Sequence, residues 1–140
     1  MPELLRSAAW SRYAHYPPSP WLIACGIATA VAMLGRRLRR FEVAGDSMAP
    51  TLHAGERVLI ARTRRIHPGD VAVVRDPDGR LVVKRVVGVS SAGVTVLGDH
   101  ADSSTDSRHY GPVPPARVQG RVVYRYHPAS RRGRVRPLVP

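Results

Sequence analysis

Two patterns of hydrophobic and polar residues divide the chain. Trp21–Leu34 is an apolar run without a charged residue, which favours a helix. From Phe41 onward, short runs rich in β-branched residues recur between turn residues, which is typical of strands. The predicted strands are Arg57–Arg62, Val71–Arg75, Leu81–Val89, Val94–Leu97 and Arg121–Tyr126. The pattern predicts one helix followed by a mostly β domain.

Turn residues and composition set the predicted boundaries. Residues 1–20 end in a proline-rich stretch and are predicted to be an irregular leader. Residues 21–35 are predicted to form the helix, and residues 41–127 are predicted to form the β domain. The turn Asp76–Gly79 between two strands predicts a hairpin, and so an antiparallel sheet curled around one core. Residues 128–140 are rich in arginine and proline and are predicted to be a basic tail that is either disordered or bound to the surface of the domain.

The helix is predicted to be a single-pass membrane anchor. Its fourteen apolar residues would span about 21 Å at 1.5 Å per residue, against a hydrocarbon core of about 30 Å. Trp21 at one edge and arginines at the other would help so short a run to fit. The arginines that follow it are Arg36, Arg37, Arg39 and Arg40, and those that precede it are Arg6 and Arg12. The positive-inside rule places the richer flank, with the β domain, in the cytoplasm.

The net charge of +12 raises the question of nucleic-acid binding. The charge is spread along the whole chain, and no helix-turn-helix, zinc-finger or stacking-aromatic pattern accompanies it. We therefore expect no nucleic-acid partner, and a basic surface that favours anionic lipid headgroups. The six histidines are scattered without metal-ligand spacing, so no metal site is expected.

One basic residue differs from all the others. Lys84 is the only lysine among 22 basic residues, the others being arginines, and lysine, unlike arginine, can lose its proton in a protein. Strand alternation places it on the same face as Val82 and Val86. An ammonium on an apolar face loses hydration, which lowers its pKa and leaves a neutral amine able to act as a general base. A strand lysine that reaches water from a sheet edge is the alternative.

Two polar segments accompany this strand. Ser47 lies in the segment Gly45–Leu52 beside glycine and proline residues that hold the backbone in a fixed turn, as a nucleophile requires. An ordinary loop serine is the alternative there. The segment Gly98–Val113 concentrates carboxylates, hydroxyls and glycines. It is either a solvated loop or a loop fixed by buried ion pairs, with a hydroxyl that holds the lysine amine.

Together these segments resemble the signal peptidase I family of Ser/Lys proteases. The resemblance covers residues 43–126 in four ordered blocks. The blocks are SMAPTL at Ser47–Leu52, GDV at Gly69–Val71, KRV at Lys84–Val86, and the GD…SSTDSR…GPV block at Gly98–Val113. The resemblance implies the family's mostly β catalytic fold, a serine endopeptidase activity without a cofactor, and precursor proteins with small residues before the cut as substrates.

The resemblance also implies roles for individual residues. Ser47 is the nucleophile, Lys84 the general base, and Ser104 orients the lysine amine. Asp99, Asp106, Arg108 and Arg85 form bracing ion pairs, and Met48, Pro50 and Leu52 line the substrate pocket. The backbone N–H of Ser47 serves the oxyanion hole. Gly45 stands where some members carry a further hydroxyl, and His100 where asparagine is usual, so both contributions are left open.

The short chain and its YRYHP ending also resemble the maturation proteases of nickel-type superoxide dismutase, which act on an intracellular enzyme. Typical signal peptidases instead face away from the cytoplasm and cut secretory preproteins. The side of the membrane is therefore left open, as are both substrate classes. A self-cleaving repressor-type Ser/Lys protein and a non-enzymatic membrane scaffold are the remaining alternatives.

Overall fold

The computed structural model describes residues 19–136, and the chain divides into two units, Met1–Leu34 and Gly35–Pro140. The helices and strands in chain order are α1 (Pro20–Arg37), β1 (Leu38–Glu42), β2 (Arg57–Ala61), β3 (Val71–Arg75), β4 (Leu81–Ser90), β5 (Gly93–Leu97), α2 (Ser107–Tyr110), β6 (Val118–His127) and β7 (Gly133–Arg134). Short 3-10 turns lie at Ala101–Ser103, Pro115–Arg117 and Ala129–Arg131. The predicted mostly β chain with an N-terminal helix is confirmed.

The N-terminal helix α1 is slightly longer than the predicted 21–35. It begins at Pro20, whose fixed φ suits a first helical position, and it ends with Arg36 and Arg37, whose charges favour a helix C-terminus. None of its residues is buried. Across residues 19–136, no helix combines the length and apolar character needed to cross a membrane. The membrane anchor stays a prediction, and the predicted leader lies almost wholly outside the described residues.

The strands form one antiparallel sheet in the order β1-β2-β6-β3-β4-β5, with β7 added beside β6. The sequence pattern does not predict β1, because its arginines indicate the charged flank of the helix. The register pairs Phe41 of β1 with Val58 of β2, which places a half-buried aromatic ring against the core. Register shifts interrupt three of the ladders, and such bulges bend and twist a sheet.

The central strand β3 is buried on both faces, as its continuous apolar sequence requires. Val71 and Val73 face the first core cluster, and Ala72 and Val74 face the second. The first cluster comprises Val43, Met48, Leu52, Val58, Ile60, Val71, Val73, Val83 and Val122. The second comprises Ile66, Ala72, Val74, Val86, Val94, Val96, Val113 and Val118. The sheet thus packs one cluster on each side of β3 rather than around a single core.

The segment after residue 127 distinguishes the two alternatives for the predicted basic tail. Ala129–Arg131 forms a 3-10 turn, and β7 pairs with β6 through Tyr124↔Arg134 and Arg125↔Gly133. For residues 129–134 the disordered alternative is wrong and the surface-bound one fits, because Arg131 and Arg132 bind acceptors on the domain. Composition alone does not distinguish the two. Residues 137–140 of the predicted tail lie outside the described residues.

Candidate active site

Ser47 lies in the segment Gly45–Leu52 between β1 and β2, here called the Ser47 turn. The shape of this turn is fixed by its neighbours. Gly45 has a positive φ of 77°, a conformation that glycine adopts without strain. Leu52 N–H donates to the carbonyl of Met48 at 2.9 Å, and both side chains are buried in the first core cluster, at 0% and 1% exposure. Ser47 itself is half-buried and Pro50 is exposed. Core packing therefore holds the turn while Ser47 itself keeps part of its surface exposed.

Lys84 reaches the Ser47 hydroxyl from the centre of the sheet. It lies on β4 opposite Ala72 of β3, and its side chain is 3% exposed. Its Nζ lies 3.0 Å from Ser47 Oγ and 2.8 Å from Ser104 Oγ. Two hydroxyls, and no carboxylate, are therefore the direct partners of this amine among the described residues.

The surroundings of Lys84 favour its neutral form. Burial lowers the pKa of Lys84 from the ordinary 10.5, and the positive charge of Arg108 lowers it further, whereas the charges of Asp106 and Asp76 act in the opposite direction. A lower pKa increases the fraction of uncharged amine near neutral pH. The amine can then accept a proton from a hydroxyl at hydrogen-bonding distance.

Ser104 fixes the direction of the amine. Its hydroxyl donates to Asp106 Oδ2 at 2.7 Å, so toward Lys84 its oxygen acts as an acceptor. An amine N–H then points to Ser104, and the lone pair of a neutral Lys84 is free to face Ser47. The predicted orienting hydroxyl thus lies at hydrogen-bonding distance from the amine, with its own proton directed elsewhere.

Asp106 is the fully buried end of this chain of hydrogen bonds. It is 0% exposed and accepts hydrogen bonds from Gly98 N–H at 2.9 Å and from Arg108 Nη2 at 2.7 Å. Burial alone would raise the pKa of Asp106, but donors from Arg108, Gly98 and Ser104 outweigh it and hold that pKa well below its ordinary range. Asp106 therefore stays ionised and keeps Ser104 oriented.

A second ion pair lies beside the first. Arg85 donates to Asp99 in a bidentate arrangement, Nε to Oδ1 at 2.7 Å and Nη2 to Oδ2 at 2.6 Å, with side chains 7% and 11% exposed. Thr51 Oγ1 donates to Asp99 Oδ2 at 2.5 Å. The four predicted bracing residues thus form two separate pairs, Arg85–Asp99 and Arg108–Asp106. The first pair holds the end of the Ser47 turn through Thr51.

Sequence reasoning missed the reason for a glycine at position 98. A Cβ built on Gly98 would lie 2.2 Å from Ser104 Oγ and 2.6 Å from the Ser47 carbonyl oxygen. Only glycine allows this close approach. Two residues after Gly98, the His100 N–H donates a hydrogen bond to the same Ser47 carbonyl at 3.0 Å. The glycine directly before Asp99 in the predicted block was the available signal.

The remaining site predictions are placed but not tested. Met48 and Leu52 pack in the first core cluster beneath the turn, and Pro50 lies on its surface, so contact of these three with a substrate stays a prediction. Across residues 19–136, no group of three or more histidine, cysteine or acidic side chains is gathered as a metal site would require.

Comparison with known proteins places this geometry in a family. The family described as "Signal peptidase, peptidase S26" matches residues 19–95 and 89–127. The mitochondrial ATP-independent inner membrane protease subunit 1a of Arabidopsis thaliana is 36% identical, over 67% of this chain and 73% of the relative. Subunit 1b from the same plant is 34% identical, over 60% and 67%.

A bacterial relative extends the similarity over more of the chain. The probable signal peptidase I-1 of Synechocystis sp. is 27% identical, over 84% of this chain and 90% of the relative. The family match alone spans well over half of the 140 residues and contains both Ser47 and Lys84. The chain therefore belongs to the signal peptidase family, peptidase S26.

Proposed function

We propose that this chain is a serine endopeptidase in which Ser47 is the nucleophile and Lys84 the general base. The observation that carries the proposal is the 3.0 Å separation between Lys84 Nζ and Ser47 Oγ, with the amine 3% exposed and its pKa lowered by burial. Membership of a peptidase family supports the reaction type.

The proposed reaction has two halves. Neutral Lys84 takes the hydroxyl proton as Ser47 Oγ attacks the scissile carbonyl, and the resulting ammonium gives that proton to the leaving amine as the peptide C–N bond breaks. Water then attacks the acyl-enzyme ester with Lys84 again acting as base, which releases the acid and restores Ser47. The backbone N–H of Ser47 is the proposed oxyanion donor, and Gly45 contributes no hydroxyl to it.

The proposed substrates are the N-terminal signal or propeptides of precursor proteins. The relatives named as signal peptidases and inner membrane proteases support this class. The two parts of the family match meet at residues 89–95, where a tight turn joins β4 to β5. A compact catalytic domain suits a dedicated precursor such as that of nickel-type superoxide dismutase, with secretory preproteins as the second candidate.

Attachment to a membrane is part of the proposal. The surface of α1 carries exposed Trp21, Ile27, Val31 and Leu34, and arginines follow it directly. Such a helix would hold the active site near membrane-bound precursors. Protease treatment of intact cells, with detection of the C-terminal tail, determines the side of the β domain and so separates the two substrate classes.

The experiment offers the purified full chain both precursor types and follows cleavage by mass spectrometry. Ser47→Ala and Lys84→Arg are each expected to abolish cleavage while the fold is retained, because the first removes the nucleophile and a guanidinium cannot act as the base. Ser91→Ala, at an exposed serine, is the matched control. Full activity in Lys84→Arg contradicts the mechanism, and failure of the wild-type chain to cut any precursor favours a non-enzymatic scaffold.

A further inference from the structure

A group of charged side chains at the Pro50–Thr51 end of the Ser47 turn has no role in the mechanism above. Glu56 is 4% exposed and directly precedes β2. Its carboxylate contacts two arginines, Arg125 Nη1 at 3.2 Å and Arg131 Nη1 at 3.0 Å. A carboxylate buried to this degree requires such partners.

The same two arginines hold the backbone of the Ser47 turn. Arg125 Nη1 donates to the carbonyl of Thr51 at 2.9 Å, and Arg131 Nη2 donates to the carbonyl of Pro50 at 3.0 Å. Arg125 Nε also donates to the carbonyl of Arg131, which links the two arginines to each other. Glu56 thus orients two guanidinium groups that bind consecutive carbonyls three and four residues after Ser47.

Thr51 is therefore held from two directions. Its side chain is bound by Asp99 and Arg85, and its carbonyl is bound by Arg125 and, at 3.4 Å, by Arg131. Two kinds of contact therefore hold the Ser47 turn. Its apolar side chains pack in the first core cluster, and the Arg85–Asp99 pair and the arginines bound to Glu56 both bind Thr51.

Arg131 lies outside the region that identifies the family. The family match ends at residue 127, and Arg131 closes the 3-10 turn that follows it. The segment 129–134 is held to the domain by β7 as well as by these bonds. This contact with the nucleophile turn therefore comes from a part of the chain that the family match does not include.

We infer that residues 128–134 form a C-terminal strap whose Arg131, with Glu56 and Arg125, positions the nucleophile turn for catalysis. This inference rests on the proposed function, in which Ser47 must be held at 3.0 Å from Lys84. Arg131 contacts neither reacting group, so it is a positioning residue. Loss of its two carbonyl contacts lets the turn move and lengthens the Ser47–Lys84 distance.

The test compares Arg131→Ala with Arg132→Ala in the full chain. Arg132 is the neighbouring arginine of the same segment and donates to Tyr126 rather than to the Ser47 turn, so it matches the charge change. Arg131→Ala is expected to lower kcat about 10- to 100-fold with KM unchanged, since small displacements of reacting groups cost factors of this size. Arg131→Lys keeps the positive charge but not the planar guanidinium that can bind two acceptors at once, so its kcat is expected to lie between those of Arg131→Ala and the wild type.

Two further readouts separate positioning of the turn from a change in the pKa of Lys84 and from failure of the proposed function. The pH dependence of kcat is expected to be unchanged in Arg131→Ala, because Arg131 is not among the charged groups that shift the pKa of Lys84, and Ser104 and Asp106 stay in place. Hydrogen exchange of the Leu52 amide, which bonds within the turn, is expected to be faster in Arg131→Ala than in Arg132→Ala. This readout needs no cleavage assay, so the strap can be tested even if no substrate is cut. Equal kcat and equal exchange in the two variants would overturn the inference.

Discussion

Lys84 and Arg85 are adjacent on β4, and both are buried, at 3% and 6% exposure, yet the protein treats their charges in opposite ways. Arg85 meets a carboxylate directly, in the bidentate pair with Asp99. Lys84 meets two hydroxyls, and the carboxylate of Asp106 lies one hydroxyl farther away. Because adjacent strand residues face opposite sides of the sheet, a single strand provides both environments.

This difference shows how the pKa of a buried amine can be lowered even beside an ionised carboxylate. Asp106 already accepts hydrogen bonds from Arg108, Gly98 and Ser104, which stabilise its negative charge. These donors weaken the effect of that charge on the pKa of Lys84. Had Asp106 contacted Lys84 directly, the ammonium form would have been favoured. The hydroxyl of Ser104 lies between Lys84 and Asp106, where it directs the amine and keeps the two ionisable groups apart.

The largest effect, on the free energy of unfolding, is expected from a substitution in the Arg85–Asp99 pair. Asp99→Asn leaves the Arg85 guanidinium without its countercharge, and loss of one partner of a buried pair lowers the free energy of unfolding by about 3 kcal/mol or more. The matched control is Asp78→Asn, since the Arg80–Asp78 pair is 75% and 68% exposed, and it is expected to cost less than about 1 kcal/mol. Chemical denaturation measures both, and equal costs would contradict the contrast.

On the Lys84 side, Ser104→Ala should impair catalysis more than folding. The amine loses the acceptor that directs its lone pair toward Ser47, and loss of one such hydrogen bond is expected to lower kcat about 10- to 100-fold. Ser103→Ala, at the exposed neighbouring serine, should cut at the wild-type rate. Steady-state kinetics on a cleavable precursor distinguishes them; an unaffected kcat in Ser104→Ala would remove the orienting role.

Replacing Lys84 should stabilise the protein. In Lys84→Met an apolar side chain of similar length removes the cost of burying an amine, and the free energy of unfolding is expected to rise by about 0.5–2 kcal/mol. The gain should be larger at pH 7 than at pH 11. Because the folded pKa of Lys84 is lowered from 10.5, the unfolded chain binds more protons below that pH, so wild-type stability falls as the pH drops through this window. Denaturation at both pH values tests the sign, and a destabilised Met variant would contradict it.

The smallest effect concerns the pH dependence of cleavage. Activity should rise with pH as Lys84 loses its proton, with a midpoint below 10.5. The negative charge of Asp106 raises the pKa of Lys84, so Asp106→Asn should move the midpoint of the residual activity to lower pH. A pH–rate profile of kcat/KM for both proteins measures this shift, and a midpoint that moves to higher pH would contradict the arrangement.

Much of this arrangement could be predicted from sequence because it follows from strand periodicity. The bounds of β3 are as predicted, and alternation placed Lys84 on the face of Val82 and Val86 in the second core cluster. The sole lysine in an arginine-rich chain indicated the candidate base.

What sequence reasoning missed depends on contacts between distant residues. Two of the five residues of β1 are arginines, and the segment becomes a strand by pairing with β2. The segment after residue 127 is ordered by Glu56, more than seventy residues earlier in the chain. The need for glycine at position 98 arises from the approach of Ser104 and the Ser47 carbonyl. None of these contacts has a local periodic signal, so each required the structure.

The central claim is that the Lys84 amine loses its proton more readily than an ordinary lysine. Because Lys84 is the only lysine, protein labelled with ¹³C at lysine Cε gives a single side-chain signal whose shift can be followed against pH. A titration midpoint below 10.5 in the folded protein, returning to the ordinary value on unfolding, is the predicted result. A midpoint at or above 10.5 in the folded protein would contradict the account.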